Sequence, residues 1–123
     1  MHTSIEQMPI EMQAGEIETR AIAGGDVLVR HIQLPAGTDF TPLFEGLLDD
    51  ACQCPHWGYV TKGIIHVRYT DGTVEVMEAG TAFYLPAGHT AWAEQDSAFL
   101  DFSPEKELKT VLEHIARKTG QPA

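Results

Sequence analysis

The chain has 123 residues, of which 43% are hydrophobic, and its 8 Lys+Arg against 18 Asp+Glu give a formal net charge of −10. That length and apolar fraction suit one domain with one core and exclude wholesale disorder. The acidic balance, with the few basic residues scattered, excludes a nucleic-acid binder and electrostatic docking on anionic membranes, both of which need clustered Lys and Arg.

No nucleic-acid partner and no membrane partner is therefore expected. No apolar run reaches the ~18–20 residues of a membrane span. Residues 1–11 carry Glu6 and Glu11, with no basic cluster and no apolar stretch, so they do not read as a signal peptide. A cytoplasmic location is expected, where Cys52 and Cys54 would stay reduced.

Residues 1–14 are weakly patterned and are expected to lie along the edge of the fold. Residues 1–24 together read as an N-terminal arm and edge strand. From Glu16 onward, runs rich in β-branched and aromatic residues alternate with Gly, Pro and Asp. Strands are predicted at Ile17–Ala23, Val27–Leu34, Cys54–Thr61, Ile64–Tyr69, Thr73–Glu78, Ala82–Leu85, Thr90–Glu94 and Ala98–Phe102. Gly24-Gly25-Asp26 and Asp71-Gly72 are hairpin signals, and Pro35-Ala36-Gly37 and Pro86-Ala87-Gly88 are further turns. Residues 25–103 thus read as a small all-β barrel or double sheet.

The period changes in residues 104–119. Leu108, Val111, Leu112 and Ile115 fall on one helical face. Ser103 is the expected N-cap, with Pro104 at the first helical position, Arg117 and Lys118 at the C-terminal end and Gly120 closing the helix.

Asp50-Ala-Cys52-Gln-Cys54-Pro-His56 is the most informative segment. In an extended chain Asp50, Cys52, Cys54 and His56 share one parity and point the same way. Two thiolates and an imidazole are the donor set that zinc prefers, so Cys52, Cys54 and His56 are candidate metal ligands, with Asp50 behind them as a ligand or a turn residue. The alternative is a pair of small buried thiols beside a core histidine. Pro55 interrupts strand pairing, and a bulge there would alter the parity. His89 follows the Pro86-Ala87-Gly88 turn directly and is either a surface turn residue or a fourth ligand.

Taken together, the two segments resemble the cupin superfamily, with its motifs G-x5-H-x-H-x3,4-E-x6-G and G-x5-P-x-G-x2-H-x3-N. Gly80, Pro86 and Gly88 match the second motif, and Gly63 matches the end of the first. His56 stands at the family's glutamate, and Cys52 and Asp50 stand at its two histidines. Phe44 replaces the opening glycine, Ala91 the second-motif histidine and Gln95 the asparagine. The run Cys52–Val60 is similar to a variant of small single-domain cupin_2-type proteins, a likeness that implies no substrate. The resemblance implies an all-β double-stranded β-helix (jelly-roll) barrel with one C-terminal α-helix. It also implies a pocket between the motif strands and a homodimer. It does not carry over the family's usual three-histidine, one-glutamate site. Zinc is the expected metal, ahead of iron, nickel and manganese. In the family alignment Ala91 marks an inward position, so His89, two residues earlier, is expected to face inward and to reach the metal directly or through one water.

Arg30 and His31 face opposite ways on one strand, one of them inward, and His31 is a further possible site member. His66 and Arg68 read as a solvated face. Two functions stay open. One is a zinc-binding barrel protein that binds a small polar molecule. The other is a metal-dependent hydrolase, isomerase, lyase or, last, dioxygenase. Coordination number separates them: four protein ligands for a structural site, an open position for catalysis.

Overall fold

A computed structural model describes residues 1–120. Among the described residues nine strands follow in chain order: β1 (Ile10–Ala14), β2 (Ile17–Gly24), β3 (Val27–Leu34), β4 (His56–Lys62), β5 (Ile64–Tyr69), β6 (Val74–Glu78), β7 (Ala82–Leu85), β8 (His89–Trp92) and β9 (Ser97–Pro104). Two helices complete the fold, α1 (Thr41–Phe44) and α2 (Glu105–Thr119). The strands form a six-stranded sheet, ordered β1-β2-β3-β9-β4-β7, and a three-stranded sheet, ordered β6-β5-β8. All the pairings are antiparallel.

Period-two alternation explains how the sheets pack. In β5, Ile65 and Val67 are buried while Arg68 is exposed. Their apolar faces meet Ile32, Leu34, Val60, Met77, Leu85 and Ala91 in one core cluster. His66 lies half-buried on the outer face against the Trp92 ring. The Asp71-Gly72 hairpin closes as its residues require: Gly72 has φ 89°, and Asp71 accepts hydrogen bonds from the Thr73 amide at 2.9 Å and hydroxyl at 2.7 Å. Gly58 is fixed by space rather than by φ, because a Cβ there would collide with the Leu100 carbonyl and the Phe83 ring.

Two expectations for the C-terminal segment change. β9 runs on through Ser103 to Pro104, so Ser103 is not the cap of α2; Pro104 takes that place without a side-chain bond. Leu112 is half-buried, whereas Leu108, Val111 and Ile115 are buried. Gly120, at φ 73°, ends the helix with its amide donating to Ala116. α2 packs with α1 in a second apolar cluster that also holds Phe44, Cys52 and Cys54. His114 and Lys118 both donate to the Glu45 carbonyl, at 2.8 and 3.0 Å, fastening α2 to the residue after α1. Among the described residues no helix is long and apolar enough to cross a membrane.

Leu108 is 2% exposed, so Leu108→Ala should cost about 2–5 kcal/mol, read as a shift in the denaturant midpoint. Leu112→Ala should cost clearly less. Equal costs would mean that α2 is rotated from this packing.

Candidate metal centre

The site is built where three chain segments meet under α2. Cys52 lies outside the regular strands but forms an isolated bridge with His89. Its amide donates to the His89 carbonyl at 2.8 Å, and its carbonyl accepts from the Gly88 amide at 2.8 Å. Gly88 has φ 93°, the left-handed region that a tight turn needs and glycine permits. His56 opens β4, and the β4–β9 register, which pairs Trp57 with Phe102, sets His56 beside Ser103. One ligand atom each from Cys52, His56 and His89 therefore lie within 4.8 Å of one another, all three residues buried. The His56 and His89 rings meet edge to face with centroids 5.2 Å apart.

The hydrogen bonds fix the protonation of both rings. His89 Nδ1 lies 2.8 Å from the Pro86 carbonyl, which only accepts, so Nδ1 carries the proton and Nε2 keeps its lone pair. Ser103 Oγ donates to the Asp101 carboxylate at 2.7 Å. It must then accept from His56 Nδ1, also at 2.7 Å, and His56 Nε2 keeps its lone pair as well. That nitrogen faces Cys52 Sγ at 3.6 Å. A zinc ion with Zn–S of about 2.3 Å and Zn–N of about 2.0–2.1 Å spans about 3.6 Å between S and N across a tetrahedral angle. The donor set fits a metal in type and in tautomer, and the Cys52–His56 pair fits it in spacing.

The other candidates lie elsewhere. Cys54 is fully buried, but its Sγ faces the Pro55 and Pro104 carbonyls, at 3.4 and 4.0 Å, inside the α2 cluster. The segment before Pro55 is not an extended strand, so the parity argument does not hold there, and Cys54 is not in the group formed by Cys52, His56 and His89. Asp50 sits exposed in a 3-10 turn and accepts from the Gly46 amide at 2.9 Å; it is a turn residue. Arg30 takes the inward position on β3. His31 takes the outward one and stays out of the site.

The polar support of the site was not anticipated. Arg30 donates from Nε to Glu11 at 3.0 Å and from Nη1 to Asp101 at 3.0 Å. Thr19 donates to the same Glu11 oxygen at 3.0 Å. The signal available was the alternation Asp101-x-Ser103 inside an apolar strand, which puts two polar groups on the core face. Glu11, in a weakly patterned segment, left none.

Burial lowers the His56 pKa well below that of a free imidazole, with Arg30 and His89 adding to the effect. Burial also lowers His89, against its bond to Pro86. The Cys52 thiol is pushed up to about 11, again by burial first. Without a metal the site is two neutral imidazoles and a protonated thiol, beside one guanidinium and two carboxylates. A cavity of about 70 Å³ adjoins them, walled mainly by apolar side chains of α1, α2 and the barrel, such as Phe40, Phe44, Leu108 and Val111.

No protein-family model matches the sequence, and no curated protein matches it. Solved structures do. An RmlC-like cupin from Shewanella frigidimarina is 23% identical with a TM-score of 0.61, covering 83% of this chain and 88% of that one. The polyketide cyclase RemF from Streptomyces resistomycificus is 17% identical with a TM-score of 0.63, covering 85% and 79%. KdgF from Halomonas sp. is 23% identical with a TM-score of 0.56, covering 80% and 88%. The likeness is one of architecture: two antiparallel sheets with a C-terminal helix, the cupin jelly roll.

His56 and His89 are buried neutral, so the unfolded chain binds their protons more readily than the folded one. Metal-free protein should therefore lose stability as pH falls below about 6.5, the unperturbed imidazole value. Thermal melts in chelator between pH 8 and 5 check this. A flat profile would place both rings in water.

Proposed function

We propose that this cupin-fold chain holds a divalent metal, zinc first, on Cys52 Sγ, His56 Nε2 and His89 Nε2, and binds a small molecule in the adjoining cavity. The observation that carries the reading is that outer hydrogen bonds leave both Nε2 atoms unprotonated, that one ligand atom each of Cys52, His56 and His89 lie within 4.8 Å of one another, and that His56 Nε2 stands at 3.6 Å from Cys52 Sγ, the spacing of two ligands on a tetrahedral metal. Metal-bound histidines characteristically donate their other ring nitrogen to a carbonyl or a carboxylate-linked acceptor, and both rings here do so. The charges agree. Arg30, Glu11 and Asp101 sum to −1 before Cys52 loses its proton, so the pocket favours a cation. A soft thiolate with two imidazoles suits zinc over manganese, with iron and nickel behind it.

Three protein donors leave one tetrahedral position for an exogenous ligand, and that position favours a second reading, a metal-dependent hydrolase, isomerase or lyase. A bound metal would supply Lewis acidity and an acidified water there. This chain's own residues do the remaining work. Ser103 and Asp101 hold the His56 ring in orientation and tautomer, Pro86 holds His89, and α1 and α2 limit the entry of water. The expected ligand was a small polar molecule. The mostly apolar walls favour instead one with a single polar group toward Cys52, His56 and His89 and an apolar remainder.

Plasma mass spectrometry on protein purified without a His-tag should find about one zinc per chain. Cys52→Ser should abolish most of it, whereas Cys54→Ser should keep the metal and lose only stability. Loss of zinc from both alike would put Cys54 in the coordination sphere.

Ser103→Ala should weaken metal affinity about 10–100-fold in a chelator competition, the usual effect of removing an outer partner of a ligating histidine. Retention in the wild type should fall with pH, because binding displaces the Cys52 proton and needs neutral imidazoles. An unchanged affinity in Ser103→Ala would show that Ser103 does not orient His56 for the metal.

A further inference from the structure

Arg30 carries donors that its ion pairs leave unused. Its Nε donates to Glu11 at 3.0 Å and its Nη1 to Asp101 at 3.0 Å. Among the described residues Nη2 has no partner for its two N–H groups. Yet no buried side-chain nitrogen there lacks a partner, so Nη2 is not sealed in protein but meets open space. The Arg30 side chain is otherwise closed off, with the residue 6% exposed, and it lines the same cavity as Cys52, His56 and His89. A guanidinium keeps its charge at every physiological pH, so these donors stay available to whatever fills that cavity.

The rest of the wall offers little competition. Phe40, Phe44, Leu108 and Val111 are apolar, and Glu11 does not line the cavity. Asp101 does, but its oxygens already accept from Ser103 at 2.7 Å and from Arg30 at 3.0 Å.

We infer that the cavity takes a short-chain carboxylate, its head group held between Arg30 Nη2 and the metal position on Cys52, His56 and His89, its tail against the apolar wall. The inference rests on the metal reading for one of the two anchors; Arg30 supplies the other alone. Chemistry selects the head group. Nη2 only donates and a metal only accepts electron pairs, so the head group must offer lone pairs in two directions. A carboxylate does this with two oxygens. An alcohol has one oxygen, and a carboxamide turns an NH₂ donor toward one of the anchors. Spacing agrees. Asp101 Oδ2 stands 3.0 Å from Arg30 Nη1 and 3.8 Å from His56 Nδ1, so one carboxylate already separates the guanidinium from the imidazole. Charge permits a second. Arg30, Glu11 and Asp101 sum to −1, and a divalent metal with the Cys52 thiolate brings the site to neutrality. Volume limits the tail. At about 30 Å³ per water, 70 Å³ holds roughly two or three waters, which fits a carboxylate followed by about one to three carbons.

Calorimetry on the full chain tests this with propionate, propionamide and octanoate, after zinc loading and a metal count by plasma mass spectrometry. Propionate should bind at least about tenfold more tightly than propionamide, because hydrogen bonds between charged groups are the stronger ones. Octanoate, too long for the cavity, should bind far more weakly than propionate. Arg30→Lys keeps the positive charge but loses the planar fork; it should retain zinc and lose the preference for propionate. Propionate bound no better than propionamide or octanoate, no binding at all, or an unchanged preference in Arg30→Lys would overturn the proposal. Should Arg30→Lys fail to fold, nuclear magnetic resonance of the wild type with isotope-labelled arginine decides. Saturating propionate should shift the Arg30 guanidinium signal, and an unmoved signal would overturn the proposal. The same signal separates the two readings. If the chain takes up no zinc, the metal reading falls, whereas propionate should still move the Arg30 signal at higher concentration.

Discussion

Everything at the centre of this barrel is arranged around the cost of burying Asp101. Its carboxylate is 1% exposed, and an unpaired charge in such a place is worth several kcal/mol of destabilisation. Arg30 answers the charge, and Glu11, brought in by the N-terminal edge strand β1, in turn holds Arg30. One remaining acceptor direction of Asp101 is filled by the Ser103 hydroxyl, which is thereby committed as a donor and can only accept from His56. A requirement of electrostatics thus becomes a choice of tautomer, and the tautomer exposes a nitrogen lone pair toward Cys52. No buried side-chain nitrogen or oxygen among the described residues is left without a partner, so the network is closed.

The other half of the site needs only backbone. Cys52 and His89 are joined by a short bridge of amides and carbonyls across the Gly88 turn, and the Pro86 carbonyl at the start of that turn holds the His89 ring. One half is therefore set by a chain of charges running out to β1, the other by the geometry of a turn. The strict alternation of β9 separates this interior from the outer surface: Asp101 and Ser103 face in, Leu100 and Phe102 face out. The same strand supplies the polar support of the site on one face and the exposed Phe102 ring on the other.

Much of this was legible in the sequence. The strands from Ile17 onward follow from alternation and from Gly, Pro and Asp punctuation, and α2 from its apolar period. The spacing of Gly63, Gly80, Pro86 and Gly88 pointed to the cupin fold. What was not legible depended on contacts distant in sequence. Parity placed Cys54 beside Cys52 and His56, but parity holds only in an extended strand, and the Cys52–His89 bridge with Pro55 bends the chain before β4 begins. Ser103 has the chemistry of a helix cap and of a histidine partner alike. The choice depends on how far β9 runs before α2 starts, which local sequence does not set. Arg30 and His31 were equivalent until the pairing of β3 with β9 put Arg30 opposite Asp101. Glu11 carried no signal, because its role exists only once β1 has closed on β2.

X-ray absorption at the zinc edge of the metal-loaded protein reads the coordination shell itself. One sulfur at about 2.3 Å and two imidazole nitrogens at about 2.0–2.1 Å are expected, completed by a light atom from solvent. A shell with two sulfurs would bring Cys54 to the metal, and a shell of oxygens alone would show that Cys52, His56 and His89 do not hold it.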